Sequence, residues 1–288
     1  MFNLLYPPHW HDYELLDSGS GEKLERFGKY ILARPETKAI WKKTLPMPEW
    51  EKCDAIYEQK DETGKWIFKH QLPAAWNIKW QDLTFEVRPT AFKHTGVFPE
   101  LASLWQFMQE KIKNTDHPVN VLNLFAYTGG STLAAASVGA SVTHLDASKS
   151  IVSWAAKNAE VSGLKQKPIR WIVDDAVAFV KREIKRGNKY DCVIMDPPKF
   201  GRGSSGQVWK IENDLPNLLE LCKQVLSTAP LFFIINAYSV SLSALTLENL
   251  LSQMMKDRDG KTDCGELCLK SANSPNILST SIFGRWER

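Results

Sequence analysis

The sequence predicts an α/β protein: a parallel sheet flanked by helices, preceded by a small β-rich domain. Three observations carry this. From about residue 98 onward, apolar strand-like runs alternate with helix-like segments, the pattern of a parallel sheet with right-handed crossovers. Two last β-like stretches, Glu266 to Lys270 and Thr280 to Trp286, have no helix between them and are expected to pair as an antiparallel hairpin at the sheet edge. Residues 1–90 hold only short β-like runs between turn clusters, so the chain divides into a domain of residues 1–90 and a larger one of residues 91–288.

In the first region the runs are Tyr30–Ala33, Trp66–Lys69 and Leu83–Val87, with turns at Asp17–Gly21 and Asp61–Gly64. Six of the eleven tryptophans lie there, at positions 10, 41, 50, 66, 76 and 80, either as core or as platforms for unpaired bases. The second region opens with a helix over 101–112, with Leu101, Leu104, Trp105 and Met108 on one face. Strands are then expected at 119–125, 141–146, 168–173 and 190–195, and helices at 130–138, 148–162 and 175–187. A long loop over 196–208 precedes a helix to Ser227, a strand at 231–236 and a helix at 243–255.

The first of these strands runs into Ala126-Tyr127-Thr128-Gly129-Gly130, and the second ends on Asp146. Glycines let a backbone approach a ligand closely, a helix start offers free N–H groups, and a carboxylate at the second strand's tip can accept both hydroxyls of a ribose. The three-glycine pattern that packs a pyrophosphate is missing. A ribose-bearing cofactor without pyrophosphate fits better than a nicotinamide dinucleotide, and S-adenosylmethionine is the common one. The next strand ends in Asp174-Asp175; Asp175 either accepts the exocyclic amine of an adenine, caps the following helix, or does both.

Asp196-Pro197-Pro198-Lys199-Phe200 ends the fourth strand. Two prolines remove two N–H donors and stiffen the turn, fixing a carboxylate and an outward carbonyl that can orient an acceptor toward an electrophilic methyl group. Between Lys181 and Lys210 stand eight basic and three acidic residues. This surplus brackets the motif, either as a surface for a phosphate backbone or as an ordinary solvated helix face.

Composition narrows the class. The net charge is +3, with 43% hydrophobic and 24% charged residues, ordinary for a globular chain. No apolar run approaches a membrane span and the polar start is no signal peptide, so a cytoplasmic protein with no membrane partner is expected. Cys53, Cys192, Cys222, Cys264 and Cys268 follow no C-x-x-C pattern, and neither disulfides nor a metal site are indicated.

Together, Phe125-Ala-Tyr-Thr-Gly129 and Asp196-Pro-Pro-Lys-Phe200 resemble the class I S-adenosylmethionine-dependent methyltransferases, and specifically the bacterial 23S (large-subunit) ribosomal RNA methyltransferase family. Similarity extends to Lys93–Glu100 and Ser281–Trp286 and covers about residues 88–288. The resemblance implies a Rossmann-like seven-stranded methyltransferase sheet and an RNA partner. It implies cofactor contacts from the turn Phe125, Ala126, Tyr127, Thr128 and Gly129, from Asp146, Ala147 and Ser148, and from Asp175 and Ala176. Phe98 and Glu100 would cover the cofactor from the other side. Asp196, Pro197, Pro198, Lys199 and Phe200 would form the reacting centre, and Lys199, Arg202 and Lys210 would hold substrate phosphate. Members that methylate cytosine at C5 use a cysteine nucleophile after the fifth strand, where this chain reads Asn236-Ala237-Tyr238-Ser239. Direct transfer to nitrogen or oxygen is therefore favoured. Two other classes stay open: methylation of a protein or small molecule, and a cofactor-binding module without turnover.

Overall fold

The computed structural model describes residues 2–60, 63–202, 208–238 and 240–288; the side chains of Lys60, Thr63 and Arg202 lie outside that description, as do Asp61 and Glu62 of the expected turn and Ser239. The chain forms two compact units, and the division is discontinuous. The larger comprises residues 1–5, 103–267 and 281–288; the smaller comprises 6–102 and 268–280. This differs from a single cut near residue 90, because the first strand, β1 (Phe2–Leu5), groups with the larger unit and a late segment groups with the smaller one.

The smaller unit is β-rich, as expected. A five-stranded sheet runs in the order β2 (Tyr13–Gly19), β3 (Glu22–Phe27), β4 (Tyr30–Pro35), β5 (Ala55–Lys60), β6 (Thr63–Phe68), with the short helix α1 (Met47–Glu51) between β4 and β5. β7 (Trp76–Trp80) and β8 (Leu83–Val87) form a separate antiparallel pair. None of the six tryptophans is an exposed platform. Trp10, Trp50 and Trp80 are buried, and the indoles of the half-buried Trp41, Trp66 and Trp76 donate to the carbonyls of Ser18, Thr90 and Phe27 at 2.9 Å. Their role is structural.

The larger unit is built on one sheet of eight strands, one more than expected. α2 (Ala102–Lys113) leads into β9 (Asn120–Leu124), α3 (Gly130–Ser137), β10 (Ser141–Asp146), α4 (Lys149–Val161), β11 (Ile169–Val173), α5 (Ala176–Arg186) and β12 (Cys192–Met195). The expected long loop contains a small hairpin, β13 (Phe200–Arg202) and β14 (Val208–Lys210), before α6 (Ile211–Val225), β15 (Phe232–Tyr238), α7 (Ala244–Met255), β16 (Lys261–Lys270) and β17 (Ile277–Glu287). The strand order is β1-β16-β17-β15-β12-β9-β10-β11. β9 to β12 and β15 are mutually parallel, and β17 runs antiparallel to β15. The closing hairpin forms, but β1 pairs with β16 in parallel, Phe2 opposite Cys264, so the hairpin is not the sheet's last element.

Near-continuous apolar runs make these strands suitable for burial on both faces. Val121, Leu122, Leu124, Val193, Met195, Phe233 and Ile235 are all buried. Asn123 of β9 and His144 of β10 interrupt the pattern and meet Thr132 of α3. Asn123 donates to Thr132 Oγ1 at 2.9 Å, and Thr132 Oγ1 lies 2.9 Å from His144 Nδ1, joining β9, α3 and β10. Burial lowers the His144 pKa to about 3, so the ring is neutral at physiological pH.

Glu183 on α5 is a second buried polar centre. It accepts hydrogen bonds from the Tyr190 hydroxyl, Asn188 and Arg186, each at 2.7 Å, with Arg170 nearby. Burial pushes its carboxyl up, but the Tyr190, Asn188 and Arg186 hydrogen bonds and the Arg170 charge outweigh that and hold it below the usual range. Glu183→Gln is expected to cost roughly 2–3 kcal/mol at neutral pH, read from denaturant midpoints. Because the folded-state pKa is depressed, the carboxylate's contribution is present above the unfolded value of about 4.3 and is lost as pH falls through the folded one. The stability gap between wild type and Glu183→Gln should therefore narrow below about pH 4.

Candidate cofactor and methyl-transfer site

Parallel register puts the carboxyl ends of β9, β10, β11 and β12 along one edge of the sheet, the edge at which open α/β sheets bind ligands. The turn after β9 departs sharply from ordinary backbone. Phe125 and Tyr127 have φ of +54° and +49°, and Gly129, at the cap of α3, has φ +92°. Positive φ is costly for residues with a side chain, and such strain persists only where the surroundings enforce it. Here the amide of Ala126 donates to Leu145 O at 2.9 Å, that of Tyr127 to Asp146 Oδ2 at 3.0 Å, and Asn158 Nδ2 donates to Thr128 O at 3.0 Å. Both glycines are required. A Cβ on Gly129 would stand 3.1 Å from Leu133 and 3.2 Å from Ala155, and one on Gly130 would overlap the ring of Trp105. No side chain caps α3, so its first amides remain for a polar ligand group.

Asp146 Oδ1 accepts the Ser148 amide at 2.9 Å while Oδ2 accepts that of Tyr127. Burial raises its pKa, and the backbone hydrogen bonds from Ser148, Tyr127 and Ala147 pull it back down. The carboxylate is thus fixed in direction by backbone amides at the tip of its strand. Ala147 is exposed and Ser148 half-buried beside it. Asp175 caps α5, its Oδ1 accepting the Ala178 amide at 2.8 Å, which leaves Oδ2 for a ligand amine; Ala176 is buried behind it. Asp174 is engaged elsewhere, by the Asp175 amide and by Arg182.

β12 lies beside β9 with Met195 opposite Leu124, and the Asp196 amide approaches Leu124 O at 3.4 Å. Asp196 therefore follows its strand at the same level as Phe125 follows its own. Pro197 is buried, while Pro198, Lys199 and Phe200 are exposed, Phe200 by 52%. Phe200 pairs with Lys210 across the β13–β14 hairpin, which brings Lys199 and Lys210 to one end of the loop.

One carbonyl of the turn is already engaged. Trp209, on β14, donates its indole N–H to Pro198 O at 2.7 Å and rests its ring 5.2 Å from that of Phe125. This contact was not legible in advance, because a polar glycine-serine stretch separates the two short strands; the tryptophan between Val208 and Lys210 was the available signal. The Asn123–Thr132–His144 chain was also missed. Its signal was a polar residue within each of two apolar strand runs.

Two further groups were expected at the site. Phe98 and Glu100 belong to the smaller unit, where Phe98 packs edge-on against His94 and Glu100 is buried with Lys23, Glu25 and Arg34 around it. Burial raises the Glu100 pKa, with Lys23 opposing. Most of the basic surplus leaves the motif. α5 runs antiparallel to the strands, so Lys185, Arg186 and Lys189 sit at the opposite end of the sheet from Asp196. Only Lys199, Arg202 and Lys210 follow the motif into its loop, and the Arg202 side chain is outside the described residues.

Residues 54–248 match the profile of the S-adenosylmethionine-dependent methyltransferase family. The chain belongs to that family. Its fold agrees throughout: a crystal structure of an S-adenosylmethionine-dependent methyltransferase from Agrobacterium tumefaciens superposes with a TM-score of 0.96 at 41% identity, covering 99% of this chain and 93% of that one. A methyltransferase, SMU.776, crystallised with S-adenosylhomocysteine, gives a TM-score of 0.74 at 18% identity, covering 96% of this chain and 75% of its own. Among curated relatives, the ribosomal RNA large subunit methyltransferase K/L of Shewanella frigidimarina is 31% identical over 198 residues, 67% of this chain and 26% of the relative. The K/L enzyme of Shewanella baltica is 29% identical over 232 residues, 78% of this chain and 30% of its own length. The chain thus spans about a quarter to a third of these relatives. The glycine turn, uncapped α3 and oriented Asp146 fit S-adenosylmethionine, which supplies an electrophilic methyl group. No helix among the described residues is long and apolar enough to cross a membrane, and among them no cluster of three or more metal-ligating side chains occurs.

Proposed function

We propose that the protein methylates a base of large-subunit ribosomal RNA by direct transfer to nitrogen or oxygen. The observation that carries this reading is the level placement of Asp196 beside the cofactor turn, through the register of β12 on β9. Asp146 takes the ribose hydroxyls, the α3 amides face the methionine end, and Asp175 receives the adenine amine. Asp196 accepts a hydrogen bond from the acceptor group and aims its lone pair along the line of transfer, where alignment does most of the work. Phe200, half-exposed at the mouth, stacks on the target base, and Lys199, Arg202 and Lys210 meet its flanking phosphates.

Three features support the choice of substrate and chemistry. Relatives bear the name of ribosomal RNA methyltransferases. All five cysteines are buried, and burial pushes the Cys192 and Cys222 thiols well up, away from the thiolate a C5 mechanism needs. Trp209 holds the Pro198 carbonyl, which fixes the turn that follows Asp196.

The test compares modified nucleosides of ribosomal RNA by mass spectrometry with and without the gene, followed by methyl transfer in vitro to the unmodified RNA. One methylated nucleoside is expected to disappear and to be restored by the purified protein. Unchanged RNA, with methyl groups passing to a protein or small molecule, would overturn the substrate assignment.

A further inference from the structure

Displacement of the basic surplus from the reacting centre leaves it to be explained. β11 is the free edge of the sheet, and at its amino end it meets the last turns of α4. A groove of about 560 Å³ lies there, lined by Lys157 and Glu160 of α4, Lys165 and Lys167 of the connection, and Ile169 and Trp171 of β11. Trp171 is half-buried with its ring 4.8 Å from that of His144, so a rigid aromatic is part of the groove. Three ammonium groups face one carboxylate. That carboxylate, Glu160, pairs with Lys165 at 2.6 Å, but both side chains are more than half exposed, and such a pair is held weakly in water.

The positive charge continues around the strand. Arg170 alternates with Trp171 along β11, is exposed, and approaches the buried Glu183 of α5. α5 then carries Lys181, Lys185 and Arg186 on its exposed side. Cations from α4, β11 and α5 therefore surround one sheet edge, at the end remote from Asp146 and Asp196 and roughly 15 Å from them, the length of a five-residue strand. A solvated helix face would carry mixed charge on one element. Here three elements on both sides of an edge strand converge with more cations than carboxylates, Glu160 and Glu183 being the acidic residues named among them, around a groove with an aromatic wall.

We propose that this edge is a second RNA-binding surface, which grips the phosphate backbone of a structured RNA away from the nucleotide being methylated. The inference rests on the RNA reading above. Lys157, Lys165 and Lys167 contact phosphates in the groove, and Arg170 and the α5 cations follow the strand as it leaves. Gripping the RNA at two separated points would make recognition depend on its folded shape rather than on the target nucleotide alone.

The experiment measures binding of an unmodified large-subunit RNA transcript to full-length wild type and to the triple variant Lys157→Glu, Lys165→Glu, Lys167→Glu, across a salt series. The milder triple Lys→Gln variant is measured in parallel, and S-adenosylhomocysteine affinity and thermal midpoint report folding. Both triples are expected to keep cofactor affinity, to bind RNA at least tenfold more weakly, and to lower the slope of log K against log salt by about one per lysine removed. Wild-type binding with no change in either triple would overturn the second surface while leaving the RNA reading intact. No RNA binding by wild type at low salt would overturn both. A change in oligomeric state without a change in RNA affinity would mark the edge as a contact between copies of the chain and also overturn the proposal.

Discussion

Asp146→Ala is expected to weaken S-adenosylmethionine binding by at least 100-fold, measured by calorimetry on the purified protein. A ribose offers two hydroxyls to this carboxylate, and hydrogen bonds to a charged acceptor contribute about 1.5–3 kcal/mol each, so losing both reaches the 2.7 kcal/mol that 100-fold requires. The substitution also strands the amides of Tyr127 and Ser148, which the carboxylate now holds. Because Tyr127 sits at positive φ, the turn is expected to relax once that hydrogen bond is gone, disturbing the methionine end as well as the ribose. Asp146→Asn separates the two effects. Its carbonyl oxygen can still receive one amide, so it should fold with a near-native thermal midpoint yet bind cofactor far more weakly. Native affinity in both variants would remove Asp146 from the site.

Asp196→Ala should behave in the opposite manner, retaining cofactor affinity within about twofold while methyl transfer falls by roughly 100- to 1,000-fold. The prediction follows from position. Asp146 ends β10 and is proposed to hold the cofactor, whereas Asp196 follows β12 and is proposed to face the acceptor, with the turn after β9 between them. Single-turnover measurements with saturating cofactor isolate the chemical step. Asp196→Asn is expected to fall less, because the amide oxygen still accepts a hydrogen bond in the same place. A variant that lost cofactor affinity as much as turnover would make Asp196 part of the binding turn.

Much of the larger unit was legible in the sequence. Strands buried on both faces read as continuous apolar runs, the helices between them keep their period, and Asp146, Asp175 and Asp196 each stand where such a run stops. What was hidden depends on partners distant in sequence. Four residues of β1 are too few to show a period, and their strand exists because β16 offers an open edge. The basic surplus was contiguous in sequence but not in space, since a helix between two parallel strands carries its last turn to the far end of the sheet. The same geometry concealed the bond from Trp209 to Pro198, eleven residues apart in the chain and joined by a hairpin within a polar loop.

The parallel pairing of β1 with β16 also bears on how the protein is made. Residues 2–5 leave the ribosome some 260 residues before their partners at 264–267. At about 5–20 residues per second, the first strand waits at least 13 seconds with nothing to pair with, while the central strands β9 to β12 have already been synthesised. The turn after β9 can therefore take shape on the nascent chain before β16 is available to pair with β1 at the opposite edge of the sheet. Completion of the sheet is a post-assembly step of high sequence separation, the kind that folds slowly.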